Sequence, residues 1–196
     1  MTITVRPSIL RYSQKPEIFG LVATGKMGER VTVQFRQCGL YPRQFRDFLE
    51  TTTEDGGKWS LFMLPHVPAT LQSSGLLRAV WRDGVSREVE IRMRAFVELQ
   101  RRPGGRFRVR VGGTQSFWRK RVLVQRFSRR LGEWVTMRSL LLTESSGSRD
   151  YGLPGVDSLT EDFRPTVPKG TTIRAVLPLA AARPCYLAGY SRLQRT

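Results

Sequence analysis

The chain is predicted to be all-β, folded as two antiparallel β-sandwiches in tandem. Three observations predict it. Apolar and polar residues alternate nearly everywhere, turn residues punctuate that alternation, and part of the first half recurs in the second. The 196 residues divide into halves close to the ~100 residues that a seven-stranded sandwich needs.

In chain order, residues 18–22 and 31–35 are short runs of β-branched and aromatic residues that read as strands. Glu54-Asp55-Gly56-Gly57 reads as a turn ahead of a strand over 58–62. Strands over 76–81 and 85–93 flank Arg82-Asp83-Gly84, a strong hairpin signal. A second hairpin joins 96–100 to 106–111 through Arg101-Arg102-Pro103-Gly104-Gly105. No window has apolar residues at helical spacing with caps at both ends, so little helix is expected. Trp59, Trp81 and Trp134 fall inside strand runs and are expected between the sheets.

The repeat sets the domain count. Arg30-Val31-Thr32-Val33-Gln34 matches Arg121-Val122-Leu123-Val124-Gln125, Leu77-Arg78-Ala79-Val80 matches Ile173-Arg174-Ala175-Val176, and Ser86-Arg87 matches Ser191-Arg192. The matches keep their order at offsets of 91, 96 and 105 residues, as a duplicated unit with insertions in the second copy would. Domains are expected at 1–94 and 95–196, with almost no linker.

The order Gly25, Gly28, Glu29, Val31, Val33, Gln34, then Gly57 and Trp59, then 77–81, then Ser86-Arg87 resembles immunoglobulin-like tandem repeats of bacterial surface proteins, related in layout to fibronectin type III. The second half carries Phe117, Lys120, Val122, Val124, Gln125, then Trp134, then 173–177, then Gly189-Tyr190-Ser191. The resemblance implies two tandem immunoglobulin-like antiparallel β-sandwiches and brings no catalytic residues with it.

Net charge is +17, with 28 arginines against 5 lysines. Such a balance favours an anionic partner, and arginine pairs with carboxylates bidentately. Arg106, Arg108 and Arg110 alternate with Phe107, Val109 and Val111, so the guanidinium groups share one sheet face while the apolar residues enter the core. Arg92 and Arg94 are placed on an outer face by the same rule. Cations this dense repel, and an anionic partner is expected to relieve them. Trp118, Arg119, Lys120 and Arg121 follow Phe117 as an aromatic beside three cations, read as a core phenylalanine next to a basic edge or as a stacking surface.

Residues 143–170 lack periodicity and are expected to be a long loop with net charge −2 on an otherwise basic chain. Its Tyr151, Leu153 and Phe163 are candidate anchors on a neighbour, and Asp150, Asp157, Glu161 and Asp162 candidate partners for a neighbour's arginines. The alternative is that the segment folds back over its own sandwich.

The sequence carries no recognisable catalytic constellation. His66, the only histidine, sits in a proline-framed loop, and no nucleophile elbow, phosphate loop or metal-ligand spacing occurs. Neither a cofactor nor a metal is expected. Cys38 and Cys185 are read as free thiols. The N-terminus is not read as a secretory signal, and no run approaches the ~20 apolar residues of a membrane span.

The expectation is a non-catalytic structural protein of a large assembly, first of all a phage virion decoration or tail-associated component. Its partners would be other protein subunits, met through an acidic lattice or self-association. The alternatives are a bacterial extracellular surface or adhesive module and a basic nucleic-acid-binding protein. The last is disfavoured because cations spread over both halves without a recognised nucleic-acid motif.

Overall fold

The computed structural model describes residues 1–12, 14–39, 43–61, 71–148 and 155–196. Phe62, His66, Asp150, Tyr151 and Leu153 lie outside them. Two compact units make up the chain, Met1–Met93 and Arg94–Thr196.

In the first unit, β1 (Thr4–Arg6), β3 (Glu17–Leu21) and β6 (Lys58–Leu61) form one sheet in the order β1-β3-β6. The other sheet runs β2-β9-β7-β4-β5, with β2 (Ile9–Leu10), β4 (Arg30–Gln37), β5 (Arg46–Thr52), β7 (Gly75–Trp81) and β9 (Val89–Met93). A two-residue strand, β8 (Gly84–Val85), closes the expected hairpin back onto β7. Alternation places Val31, Val33, Leu77, Ala79, Ile91 and Met93 in the core against Ile18 and Trp59 of the facing sheet. One pairing departs from the antiparallel expectation: β2 runs parallel to β9. The chain leaves β1 at Pro7, which has no N–H to continue that ladder, and lies down along the other sheet.

The second unit pairs β10 (Phe96–Arg102), β11 (Arg106–Gly113), β15 (Gly155–Leu159) and β14 (Glu144–Ser148) in that order. Facing them is β13-β12-β16-β17, with β12 (Arg121–Ser128), β13 (Glu133–Leu141), β16 (Thr172–Leu177) and β17 (Gly189–Tyr190), while β18 (Gln194–Arg195) also pairs with β16. The orders correspond to A-B-E-D over C′-C-F-G, the immunoglobulin-like arrangement. Among the described residues, helix is confined to the single turn α1 (Leu179–Ala182) and two three-residue 3₁₀ turns, Asp55–Gly57 and Pro103–Gly105.

The repeated motifs occupy equivalent places. β4 and β12 are both the C strand, and the C′ strand beside each is bulged at the same step, at Phe48 opposite Val33/Gln34 and at Met137 opposite Val124/Gln125. Ser86 Oγ accepts the Ala79 N–H at 2.9 Å and donates to Arg87 O. Ser191 Oγ does the same for Ala175, also at 2.9 Å, and for Arg192 O. Both serines are buried and fasten the last strand segment to the F strand. Removing either hydroxyl strands a buried amide, so Ser86→Ala and Ser191→Ala are each expected to cost about 1–3 kcal/mol in urea denaturation. Unequal costs, with one serine silent, would show that the two fastenings differ.

Three expectations are corrected. Residues 143–170 are not a long loop, because β14 and β15 lie within them. β14 is a Ser/Gly edge strand whose residues 144–147 are exposed, so no apolar alternation marks it. β15 sits between β11 and β14 but buries Ser158 instead of a hydrocarbon, its Oγ accepting the Phe117 N–H at 2.9 Å. Of the three tryptophans expected between sheets, Trp59 alone is buried, while Trp81 and Trp134 are half-buried. Finally, neither Cys38 nor Cys185 is a free thiol; sequence spacing alone carries no information on whether a lone cysteine is bonded.

Candidate functional site

The two sheets of the second unit differ sharply in charge. On the first, the arginine ladder projects outward from β11 as expected, with Phe107, Val109 and Val111 in the core. Its relief comes from the same unit. Arg110 lies 2.8 Å from Asp157 and 3.6 Å from Glu98. Arg108 lies 2.8 Å from Asp162 and 3.6 Å from Glu144, and Asp162 is also within 4.0 Å of Arg106 and Arg102. The Asp157 hydrogen bond, acting against burial, raises the Arg110 guanidinium above its ordinary value. Phe163 is buried against Phe107, their backbones exchanging two 2.8 Å hydrogen bonds. Asp157, Asp162 and Phe163 therefore fold back over their own sandwich; Glu161 is left exposed.

The turn between β11 and β12 presents the next group. Phe117 is buried, whereas Trp118 is 53% exposed, donates its indole N–H to Thr143 O and carries the Arg119 guanidinium over its ring at 5.1 Å. Lys120 and Arg121 are exposed, and neither has a carboxylate partner among the described residues.

The second sheet was not singled out by sequence. Apart from Glu133, its five strands carry no carboxylate, and none follows Asp162 in the chain. Arg121, Arg126, Arg138, Arg174 and Arg195 lie on these strands, with Arg129 and Arg130 in the β12–β13 turn. None of these seven makes an ion pair among the described residues. Arg174 is held between rings: its Nε donates to Gln125 Oε1 at 2.9 Å, and its guanidinium lies 4.0 Å over Trp134 and 5.2 Å from Tyr190. Trp134 in turn meets Phe127 edge-on at 5.5 Å, and Arg94 approaches Tyr190 at 5.8 Å while donating to Ala188 O. Burial lowers the Arg174 guanidinium below its ordinary value. Beside this stack, an open depression of about 340 Å³ is lined by Arg126, Phe127, Arg129 and residues 168–172, including Lys169.

No family model and no curated protein matches the chain. Among solved structures it is similar to a marsupial T cell receptor, at 11% identity and a TM-score of 0.36, over 100% of this chain and 71% of that one.

A signal for the second sheet was present in the repeat. Gln34 and Arg78 recur as Gln125 and Arg174, and the first pair also bonds, at 2.8 Å, with Arg78 4.0 Å over Phe45. The bulge hides the rest, because it throws the neighbouring strand out of simple alternation.

Proposed function

We propose that the chain is a non-catalytic docking component of a large protein assembly, binding an acidic protein surface through the outer face of the β13-β12-β16-β17 sheet. The segregation of charge in the second unit carries this reading. One sheet answers its arginine ladder with carboxylates of its own unit; the other holds Arg174 with a hydrogen bond and two rings, and its arginines make no ion pair among the described residues. Guanidinium stays protonated at any physiological pH, so such a face suits binding and not proton transfer. The setting proposed is a phage virion, as a decoration or tail-associated protein, with a bacterial cell surface as the alternative; the resemblance of the repeats motivates both.

The test is calorimetric titration of the full chain with poly-L-glutamate and with duplex DNA over a range of salt. Poly-L-glutamate is expected to bind with defined stoichiometry and moderate salt dependence. Tighter binding of DNA, with a log–log salt slope near −0.9 for each neutralised phosphate, would instead establish a nucleic-acid-binding protein.

A further inference from the structure

The two units offer an internal comparison, because in both the C strand is paired with a C′ strand bulged at the same step. In the first unit Gln34 lies opposite Asp47 and Thr32 opposite Glu50. In the second, Gln125 lies opposite Thr136 and Leu123 opposite Ser139. The polar frame is kept: Arg30 corresponds to Arg121, Gln34 to Gln125 and Arg78 to Arg174. The carboxylates are not.

Their absence leaves a specific vacancy of charge. Arg30 Nε donates to Glu50 at 3.1 Å, and Gln34 Nε2 donates to Asp47 at 2.8 Å. The equivalent contacts in the second unit stretch to 3.5 Å for Arg121 on Ser139 Oγ and 3.3 Å for Gln125 on Thr136 Oγ1. Arg121, Thr136 and Ser139 are all exposed.

We propose that this part of the second unit is a docking site for an extended acidic segment of a partner protein, whose carboxylates take the places held in the first unit by Asp47 and Glu50. The first unit shows which group the frame accepts: a planar carboxylate that takes hydrogen bonds from arginine and amide donors. Those two carboxylates face β4 residues two apart, about 7 Å along the strand. A segment with Asp or Glu at alternate positions presents the same spacing from one side of an extended backbone. The inference rests on the acidic-partner reading above and locates it.

The experiment returns the missing carboxylates to the chain. The probe is a synthetic peptide alternating glutamate and threonine, titrated against the full chain by calorimetry. Wild type is expected to bind one peptide. Thr136→Asp with Ser139→Glu, which answers the cations in cis at exposed positions, is expected to weaken binding about tenfold or more. Arg121→Gln should weaken it as well, which keeps the test open if the double variant folds poorly. The converse variant, Asp47→Thr with Glu50→Ser, vacates the first unit and should raise the stoichiometry from one peptide to two.

Wild-type binding that the double variant and Arg121→Gln leave within about twofold would overturn the site while sparing the acidic-partner reading. No binding by wild type would bring down both. Displacement of the peptide by an equal concentration of a single-stranded oligonucleotide would reassign the face to nucleic acid.

Discussion

Replacing Gly20 by alanine is expected to unfold the first unit under conditions where the wild type is stable. Gly20 lies opposite Trp59 across the β3–β6 ladder, and the indole is packed onto its backbone. A Cβ at Gly20 would stand 2.0 Å from Thr2 O and 2.6 Å from the Trp59 ring. Neither can withdraw. Thr2 is bonded to Leu21 through both its backbone N–H and its side-chain oxygen, and Trp59 is buried in the core. Overpacking usually costs 1–3 kcal/mol, and a clash with backbone and a fixed ring together should reach about 3 kcal/mol or more. For a unit of this size that is a fall of roughly 12 °C or more in melting midpoint. Gly147→Ala is the control, since nothing lies within 4 Å of a Cβ there. An unchanged midpoint for Gly20→Ala would mean that the two strands are not spaced as described.

Removing the Asp157 carboxylate is expected to give the largest loss in the second unit among its charged residues. Arg110 and Asp157 side chains are only 17% and 15% exposed, so Asp157→Ala takes the 2.8 Å carboxylate away from a mostly desolvated guanidinium. A charge-assisted hydrogen bond of this kind is worth about 1.5–3 kcal/mol, and urea denaturation should show that loss. Replacing both members, Arg110→Met with Asp157→Leu, should recover most of it, because the cost lies in a desolvated charge that has lost this carboxylate and not in the absence of the pair. If Asp157 were instead held for a partner, the single variant would leave stability unchanged and abolish partner binding. The same logic extends to Asp162, which gathers Arg102, Arg106 and Arg108 at once.

The corrected loop explains why this network was not foreseen. Its two strands carry no period-two signal, for opposite reasons. β14 is an edge with nothing to bury, and β15 fills its core position with Ser158, whose partner is a backbone amide more than 40 residues away in sequence. Read as a chain, the acidic residues look like an arm reaching outward. Read as a sheet, Asp157 is the cross-strand neighbour of Gly112, beside the arginine ladder, and its charge is spent there.

Local composition alone determined the all-β class, the alternation that buries Phe107, Val109 and Val111, the turns at Asp55–Gly57 and Pro103–Gly105, and the recurrence of the C and F strands. Each rests on the two-residue period of a strand or on the φ freedom of glycine, which act over a few neighbouring residues. The tertiary structure decided which charges are answered. Ion pairing depends on distances of 3–4 Å between groups remote in sequence, and no period encodes them. Hence Arg106, Arg108 and Arg110, the most conspicuous cations in the sequence, are satisfied by their own unit. Arg121 and Arg174, on two different strands, come to the sheet of the second unit whose strands carry no carboxylate but Glu133.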